Sequence, residues 1–310
     1  MKWLIALLAV IAVAHGAWQK GLKVRYGTNP LHIGSRYFME VPQFLSDAKN
    51  ARWVETPRPN IGVLPELVLY CPSASDHSMC VFFDDTQYVA GVQVAIAQDA
   101  VVSQVLDWEV QGFTKWNPPA GSAGNVRTYW ATQMFFVNEE FLQISAEERI
   151  ASRNREKLLQ LNYIWVTGFN GEQMAISVHG DEIADSPVSL YTKQACASLK
   201  GRHYYYNMTE VTECSSDKLL PWFPLVHSNE LIGIGFVTMG TVDANRLVKD
   251  YFERPSRSDL RNIVTNGPRC LYDMAADTGI TTMHTYFVHN PWFINCLFER
   301  RDEEVIESTQ

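Results

Sequence analysis

Six cysteines that follow an apolar N-terminal segment constrain this chain more than any other feature of its sequence. Residues 1–16 begin with one lysine, continue as a short apolar run and end in small residues, which is typical of a secretory signal peptide cleaved after Gly16. Because the secretory route is oxidising, an even number of cysteines in an exported chain predicts disulfides rather than free thiols. The sequence therefore predicts a secreted, extracellular protein held together by three disulfides.

The cysteine spacing favours three local pairs, although the count alone allows many other connectivities. The predicted pairs are Cys71–Cys80, Cys196–Cys214 and Cys270–Cys296. Each pair would close a short loop and stabilise the fold by roughly 2–4 kcal/mol, because the crosslink restricts the unfolded chain. A metal site is disfavoured, since no two cysteines stand in the C-x-x-C spacing typical of zinc ligands.

The composition predicts one large β-rich body rather than a disordered chain. Of 310 residues, 46% are hydrophobic and 19% are charged, which leaves ample material for a core. We expect an extended N-terminal arm over residues 17–60, a single β-rich body over residues 61–297 and a charged tail over residues 298–310. The predicted fold class is α+β and β-rich, with antiparallel sheets and one clear helix.

Net charge and hydropathy restrict the partners that we expect. The net charge of −8 argues against nucleic acid, because surfaces that bind it are basic. No apolar run after the leader approaches the ~20 residues that a bilayer span requires, so no transmembrane segment is predicted. The sequence does not define an oligomeric state.

Local patterns place three elements of this body. Ser145 and Glu148 form a capping box, which predicts a helix that begins after Ser145 and reaches about Leu161. Asn170-Gly171 lies between two strand-like runs and predicts a type I′ hairpin, because both residues tolerate positive φ. A second, short helix is predicted over residues 243–252.

Three pairs of similar runs occur in the same order in the two halves of the chain. They are LPELVLY (64–70) with LPWFPLV (220–226), VAGVQVAIA (89–97) with IGIGFVTMG (232–240), and QMFFVNEEF (133–141) with HTYFVHNPWF (284–293). This order predicts a duplicated β-unit with pseudo-repeats over residues 61–141 and 217–296. The predicted helix and hairpin would then lie between the two copies.

The sequence contains no nucleophile elbow, HExxH, Walker loop or GxGxxG motif. Asp76-His77-Ser78 holds the residue types of a catalytic triad, but adjacent residues cannot align as one, so we predict polar turn material. Asp84-Asp85 follows a strand and predicts a strand-ending turn rather than a calcium site.

His284 and His289 are five residues apart, so on one regular strand they would face opposite sides and could not share a metal. We therefore predict structural histidines, no metal, no cofactor and no enzymatic activity. One enzyme alternative stays open: cleavage after Ala14 would leave His15 at the N-terminus, where its amine and imidazole together chelate copper, as in copper-dependent polysaccharide monooxygenases. A further histidine ligand would still be required.

The stretch GRHYYYNMTEVTEC (201–214) contains an N-glycosylation acceptor, Asn207-Met208-Thr209. If residues 203–207 form a strand, His203 and Tyr205 share the solvent face with Asn207. Tyr204 and Tyr206 would then point into the core.

Blocks along the whole body resemble a known family. These are LYCPS…MCVFFDD, TYWATQMFFV, IWVTGFNGE, TKQACASLKGRHYYYN, LLPWFPL, GPRCLYD and TTMHTYFV. They resemble insect secreted proteins named hemolysin-like, which occur in the saliva of blood-feeding bugs and the venom of predatory bugs. The resemblance covers roughly residues 60–297 and implies a non-enzymatic venom or salivary toxin that is cytolytic or membrane-active, with cell membranes as its partner.

The physical chemistry of the chain gives this membrane activity little support. The charge is negative and no basic amphipathic helix is evident. The alternative is a soluble extracellular binding protein for a small apolar ligand or a partner protein. Its pocket would be lined by the aromatic clusters YYY (204–206), PWFP (221–224) and NPWF (290–293). For the clusters themselves, the favoured interpretation is large core and corner residues of a β protein.

Overall fold

The structure is a computed structural model that describes residues 20–26, 35–60, 63–119, 126–184, 190–244 and 249–296. Two antiparallel sheets dominate it, and the described residues also form six α-helices, three of them seven residues or longer. The β-rich α+β class predicted from the sequence is confirmed. The signal peptide (1–16), His15 and the charged tail (298–310) lie outside the described residues.

The strands are β1 (Lys23–Arg25), β2 (Phe38–Glu40), β3 (Val54–Glu55), β4 (Val68–Cys71), β5 (Met79–Phe83), β6 (Val89–Ala97), β7 (Thr114–Trp116), β8 (Tyr129–Phe135), β9 (Tyr163–Thr167), β10 (Gln173–Ser177), β11 (Tyr191–Ala197), β12 (Gly201–Tyr206), β13 (Trp222–His227), β14 (Glu230–Met239) and β15 (Ile280–Tyr286). The helices are α1 (Leu45–Asn50), α2 (Glu139–Gln143), α3 (Ala146–Ser152), α4 (Gly180–Ala184), α5 (Arg257–Ile263) and α6 (Arg269–Asp277).

The first sheet has the strand order β11-β12-β13-β14-β15-β1-β2. The second has the order β3-β4-β5-β6-β8-β9-β10, and β7 also pairs with β8. The sheets pack face to face: Phe113, which stacks on Trp108 at 5.1 Å, meets Phe236 of the first sheet edge to face at 5.8 Å. Trp222 of the first sheet donates its indole N–H to the Thr167 carbonyl oxygen of the second at 3.1 Å.

The two sheets repeat one strand topology, down to a matching bulge. In β6, Ala90 is the unpaired residue between Val89 and Gly91, and in β14 Ile232 is unpaired in the same way. Each of these residues accepts a backbone N–H at 2.8 Å, Ala90 from Phe136 and Ile232 from Phe287. Phe136 and Phe287 contact each other edge to face at 5.4 Å. Strands β3 to β10 without β7 thus correspond, in order, to β11 to β15 followed by β1 and β2.

The repeat differs from the predicted one in its boundaries. The strands β6 and β8 correspond to β14 and β15, as two of the three sequence pairs indicate. The third pair does not match, because LPELVLY reaches into β4 whereas LPWFPLV contains β13, the counterpart of β5. The hairpin at 170–171 joins β9 to β10 inside the first copy. The segment predicted as an extended arm supplies β1 and β2, which complete the second copy, as well as α1 and β3.

The hairpin and the helix start follow their sequence signals. Asn170 and Gly171 have φ values of 55° and 82°, and the Glu172 N–H donates to the Phe169 carbonyl oxygen at 3.1 Å. Ser145 accepts the Glu148 N–H at 3.3 Å, so the N-terminal cap of α3 is confirmed.

The helix lengths were harder to predict. Helix α3 ends at Ser152 instead of about Leu161, because Arg153 adopts an extended conformation and Gln160 folds back to accept the Asn154 N–H at 2.8 Å. A helix was predicted over residues 243–252. Residues 245–248 lie outside the described residues, and the other residues of this segment are not helical. Helices α5 and α6 were not predicted, although Ser256 and Asp259 form a complete capping box at the start of α5.

All six cysteines are paired, but only one predicted pairing is confirmed. Cys71–Cys80 joins the adjacent strands β4 and β5. The other two predicted pairs are wrong: Cys196 bonds Cys296 across 100 residues, and Cys214 bonds Cys270 across 56. Topology overrides short spacing here, because the segment after β15 returns to the β11–β12 turn, where the Leu199 N–H donates to the Ile294 carbonyl oxygen at 2.9 Å. The three disulfides are consistent with a secreted protein.

Candidate ligand-binding site

A groove lies between the edge strand of one sheet and the edge strand of the other. Strand β10 ends the second sheet, β11 ends the first, and α4 packs against both. The groove has a volume of about 460 Å³. We call it the tyrosine groove after three of its lining residues, Tyr163, Tyr191 and Tyr206.

The walls of the tyrosine groove are apolar and aromatic. Tyr206 meets Tyr191 edge to face at 5.8 Å and meets Phe169 at 5.7 Å, so these rings hold one another in place. Burial raises the pKa of Tyr191, which keeps its phenol protonated at neutral pH. Met174 adds a flexible, polarisable wall that adapts to the shape of an occupant.

The rim of the tyrosine groove is open. Tyr163 is 44% exposed and Leu190 is 52% exposed. Ser177 donates its hydroxyl to Glu182 at 2.7 Å, which provides a hydrogen-bonded polar group beside the apolar walls. Among the described residues that line the groove there is no histidine or cysteine, and the arrangement suits binding of an apolar body rather than acid–base chemistry.

A second unusual feature lies on the outer face of the first sheet, where α5 packs against β11 and α6 packs against α5. Glu253 is buried there, with its Oε1 2.6 Å from His284 Nδ1 and its Oε2 2.8 Å from Lys200 Nζ. The His284 contact is close but poorly aligned for a hydrogen bond. Arg25 Nε lies 4.0 Å from the same Oε2. We call Arg25, Lys200, Glu253 and His284 the ionic cluster.

The protonation states of the ionic cluster follow from burial and from neighbouring charge. Burial, helped by the positive charge of Lys200, lowers the pKa of His284 to about 4 despite the opposing effect of Glu253. Burial by itself raises the pKa of Glu253, but contact with His284 and the charges of Lys200 and Arg25 outweigh it, so the pKa is lowered overall. At neutral pH His284 is therefore neutral and Glu253 is ionised.

The acidic pair at the end of β5 forms a turn, as predicted. Asp84 Oδ1 accepts hydrogen bonds from the Thr86 N–H at 2.9 Å and from the Tyr88 N–H at 3.1 Å. Its other oxygen takes Arg149 Nη1 at 2.6 Å, and Asp85 contacts the same guanidinium. An arginine thus occupies the position where a cation would bind.

The tripeptide Asp76-His77-Ser78 follows a turn at residues 74–75, and two of its residues are buried instead of solvated. His77 packs edge to face against Trp116 at 5.4 Å and Tyr129 at 5.3 Å. Burial lowers its pKa to about 4 and raises the pKa of Asp76. Asp76 closes that turn by donating its N–H to the Ser73 carbonyl oxygen at 3.3 Å.

The two histidines of HTYFVHN do not lie on one strand, so the argument from their spacing does not apply to them. His284 is buried in β15, whereas His289 is exposed beyond the end of that strand. Within the described residues, no group of three or more histidine, cysteine or acidic side chains is arranged to hold a metal ion.

The prediction for the faces of residues 203–207 is wrong in part. His203 and Tyr205 are buried, and both stack on Phe223, at 5.4 Å and 4.8 Å. Strand β12 lies inside the sheet with both faces covered, and the positive φ of Asn207 ends the alternation. Tyr204 is buried as expected, while Tyr206 is half-buried and lines the groove. Asn207 is exposed, and its glycosylation stays a prediction.

The aromatic clusters divide between core and surface. Trp222 and Phe223 of PWFP are core residues, whereas Phe293 of NPWF is 65% exposed. Of the three clusters, only YYY contributes a side chain to the tyrosine groove, Tyr206. Sequence reasoning missed Arg25, Lys200 and Glu253, because they come from three distant segments and carry no motif.

Comparisons of the chain with known protein families, curated proteins and solved structures found no match. Within the part of the chain that the structure describes, no helix has both the length and the apolar character needed to cross a membrane.

Proposed function

We propose that the protein is a secreted extracellular binding protein that holds a small apolar ligand in the tyrosine groove. The observation that carries the proposal is an open groove of about 460 Å³ whose walls are aromatic and apolar. Pockets for small molecules have volumes of roughly 300–1,000 Å³ and combine such walls with a few polar groups. The three disulfides support the extracellular part of the proposal.

The walls indicate what kind of ligand fits. Mutually packed tyrosine rings offer large contact areas at little entropic cost, and Met174 adapts to irregular shapes. The hydrogen-bonded Ser177 and Glu182 pair gives one polar contact that orients the ligand. A molecule with a flat or branched apolar body and one polar end matches this arrangement.

The test uses purified, disulfide-intact protein and the apolar fluorophore N-phenyl-1-naphthylamine, together with native mass spectrometry for a ligand that co-purifies. Tyr206→Ala removes a wall, and Ala175→Trp fills the groove from an exposed lining position, so its folding is not at risk. Both variants should bind the probe at least several-fold more weakly. Phe293→Ala, an exposed aromatic outside the groove, is the matched control and should bind as the native chain does.

Equal probe binding by all four proteins, with no co-purified ligand, would refute the groove as a binding site. The hemolysin-like venom or salivary function stays a prediction from resemblance, with its own assay. Release of dye from liposomes or of haemoglobin from red cells at micromolar protein would support membrane activity. No release would leave binding as the remaining proposal.

A further inference from the structure

The ionic cluster borders a cavity that is separate from the tyrosine groove. The cavity has a volume of about 270 Å³ and lies between the β11–β12 turn, β1, residues 253–255 and α5. Its walls include Arg25, Lys200, Glu253 and the exposed Asn262. We propose that this cavity binds a small oxyanion, a carboxylate or a phosphate, with Arg25 and Lys200 as its principal contacts.

Burial and missing partners make Arg25 the central residue. Its side chain is 4% exposed, and its Nε has no hydrogen-bond partner among the described atoms. A buried guanidinium nitrogen without a hydrogen bond costs free energy that a bound anion would offset. The Tyr286 hydroxyl lies within reach of Arg25, but a phenol supplies no compensating charge.

The charged side chains that line the cavity are the cations Arg25, Lys200 and Arg254 and the anions Glu253 and Asp259. Arg25 and Lys200 share a single carboxylate oxygen of Glu253. Arg254 is paired with Asp250 at 2.7 Å. Asp259 accepts the Ser256 N–H of its own helix cap at 2.9 Å, and this neutral donor leaves its negative charge in place.

His284 of the ionic cluster and the neighbouring His203 do not change this balance of charge. Burial lowers the pKa of His203 well below its ordinary value and lowers the pKa of His284 to about 4. Both rings are therefore neutral at pH 7. The cavity wall therefore holds three cations and two anions, and Arg25 and Lys200 are the cations that an incoming anion would contact, since Arg254 is paired with Asp250.

The duplicated fold supplies an internal comparison. One cross-strand row of the second sheet holds Gln93, Gln133 and Thr167, linked by hydrogen bonds of 3.1 Å and 3.2 Å. The corresponding row of the first sheet pairs Gly235 with His284, and the β1–β15 register places Arg25 next. The fold thus accommodates a neutral row at this position. The charged row, with Lys200 and Glu253 beside it, is particular to one copy.

The chemistry of the cavity selects the class of ligand. A guanidinium offers parallel N–H donors that match the two oxygens of a carboxylate or phosphate, and lysine adds a point charge. A volume of about 270 Å³ is several times the ~30 Å³ share of one water, so there is room for a small organic anion. Asn262 at the mouth adds an amide that is able to donate or accept.

Isothermal titration with inorganic phosphate, acetate and chloride at constant ionic strength tests the proposal. Lys200→Gln should weaken binding about tenfold or more, because it removes a charge-assisted hydrogen bond. Glu253→Gln should strengthen binding, since it removes the anion that competes for both cations. Lys218→Gln, at an exposed lysine paired with Asp217 outside the cavity, is the control and should bind as the native chain does.

Saturable binding of phosphate, acetate or both, lost in Lys200→Gln, supports the proposal and identifies the preferred anion. Arg25→Gln should behave like Lys200→Gln, and if it does not fold, Lys200→Gln and Glu253→Gln still decide the matter. The idea is wrong if neither anion binds more tightly than chloride, or if Lys200→Gln binds like the control. Binding of the apolar probe to the tyrosine groove should be unchanged in Lys200→Gln, so the two sites fail or succeed separately.

Discussion

Removal of Arg149 should destabilise the fold by about 3–5 kcal/mol, because it leaves the buried Asp84 carboxylate without its cation. Arg149 lies on α3, is 3% exposed and donates to Asp84 Oδ2 at 2.6 Å and, from Nε, to the Ile144 carbonyl oxygen at 2.9 Å. Asp84 is 6% exposed, and its other oxygen accepts hydrogen bonds from Thr86 and Tyr88. These bonds fix the carboxylate in place, so it stays buried and charged when the arginine is lost.

The expected magnitude follows from that uncompensated charge. Breaking a buried ion pair from one side costs about 3–5 kcal/mol, whereas an exposed partner contributes less than ~1 kcal/mol. Arg149→Met retains the packing of the aliphatic stem and removes only the charge and its donors. We expect a loss of about 3–5 kcal/mol in the free energy of unfolding, or roughly 6–10 °C in Tm at ~2 °C per kcal/mol for a chain of this size.

Urea unfolding followed by tryptophan fluorescence, with the disulfides intact, gives the free energies. Asp85→Asn is the matched control because Asp85 contacts the same guanidinium but is 65% exposed. The double variant Asp84→Asn/Arg149→Met should lose much less than the sum of the two single changes, since no charge remains buried. A cost below about 1 kcal/mol for Arg149→Met, or strict additivity in the double variant, would refute the reasoning.

Three further predictions concern acid, crosslinks and packing. Lowering the pH from 7 to 4 should destabilise the fold by up to roughly 3 kcal/mol for each of His77 and His284. Burial lowers the pKa of both histidines to about 4, whereas in the unfolded chain a histidine has a pKa of ~6.5 and binds its proton earlier. Urea unfolding at several pH values measures the loss, and His77→Gln should make the stability depend less on pH. Replacing Cys196 and Cys296 by serine removes a crosslink over 100 residues and should cost about 4–5 kcal/mol of stability. Replacing Cys71 and Cys80, which are 9 residues apart, should cost about 3 kcal/mol. Peptide mapping without reduction should recover the same disulfide pairs. Gly235→Ala would put a Cβ 1.9 Å from the Phe223 ring and should cost roughly 1–3 kcal/mol of stability. At Gly171 nothing lies within 4 Å, so Gly171→Ala should cost only about 1 kcal/mol of backbone strain. Thermal unfolding compares the two variants.

Sequence reasoning succeeded where the decisive interaction is local. The cap of α3, the turn at Asn170-Gly171 and the disulfide between adjacent strands each involve residues within about ten positions of one another. In those cases the turn chemistry or the free backbone amides determine the structure without reference to the rest of the chain. The strand-rich composition predicted the fold class for a similar reason, since propensity and patterning act within each segment.

It failed where distant segments meet. The pairing of Cys196 with Cys296 depends on where the chain returns after β15, and no spacing rule contains that information. The face assignment of residues 203–207 assumed one solvent-exposed face, whereas β12 lies inside a sheet that is covered on both sides. In such a strand the alternation of side chains persists, but both faces are buried, so hydropathy does not tell them apart.

The duplicated topology explains why local sequence patterns did not predict the two candidate sites. The second copy of the β-unit is completed by β1 and β2 from the opposite end of the chain, and Arg25 comes with them. The ionic cluster therefore exists only after the N-terminal strands have joined β15, next to a carboxylate more than two hundred residues away in sequence. The tyrosine groove likewise forms where the edge of one copy meets the edge of the other. Both sites depend on how the two copies are joined. Local sequence patterns act within each segment and do not encode this arrangement.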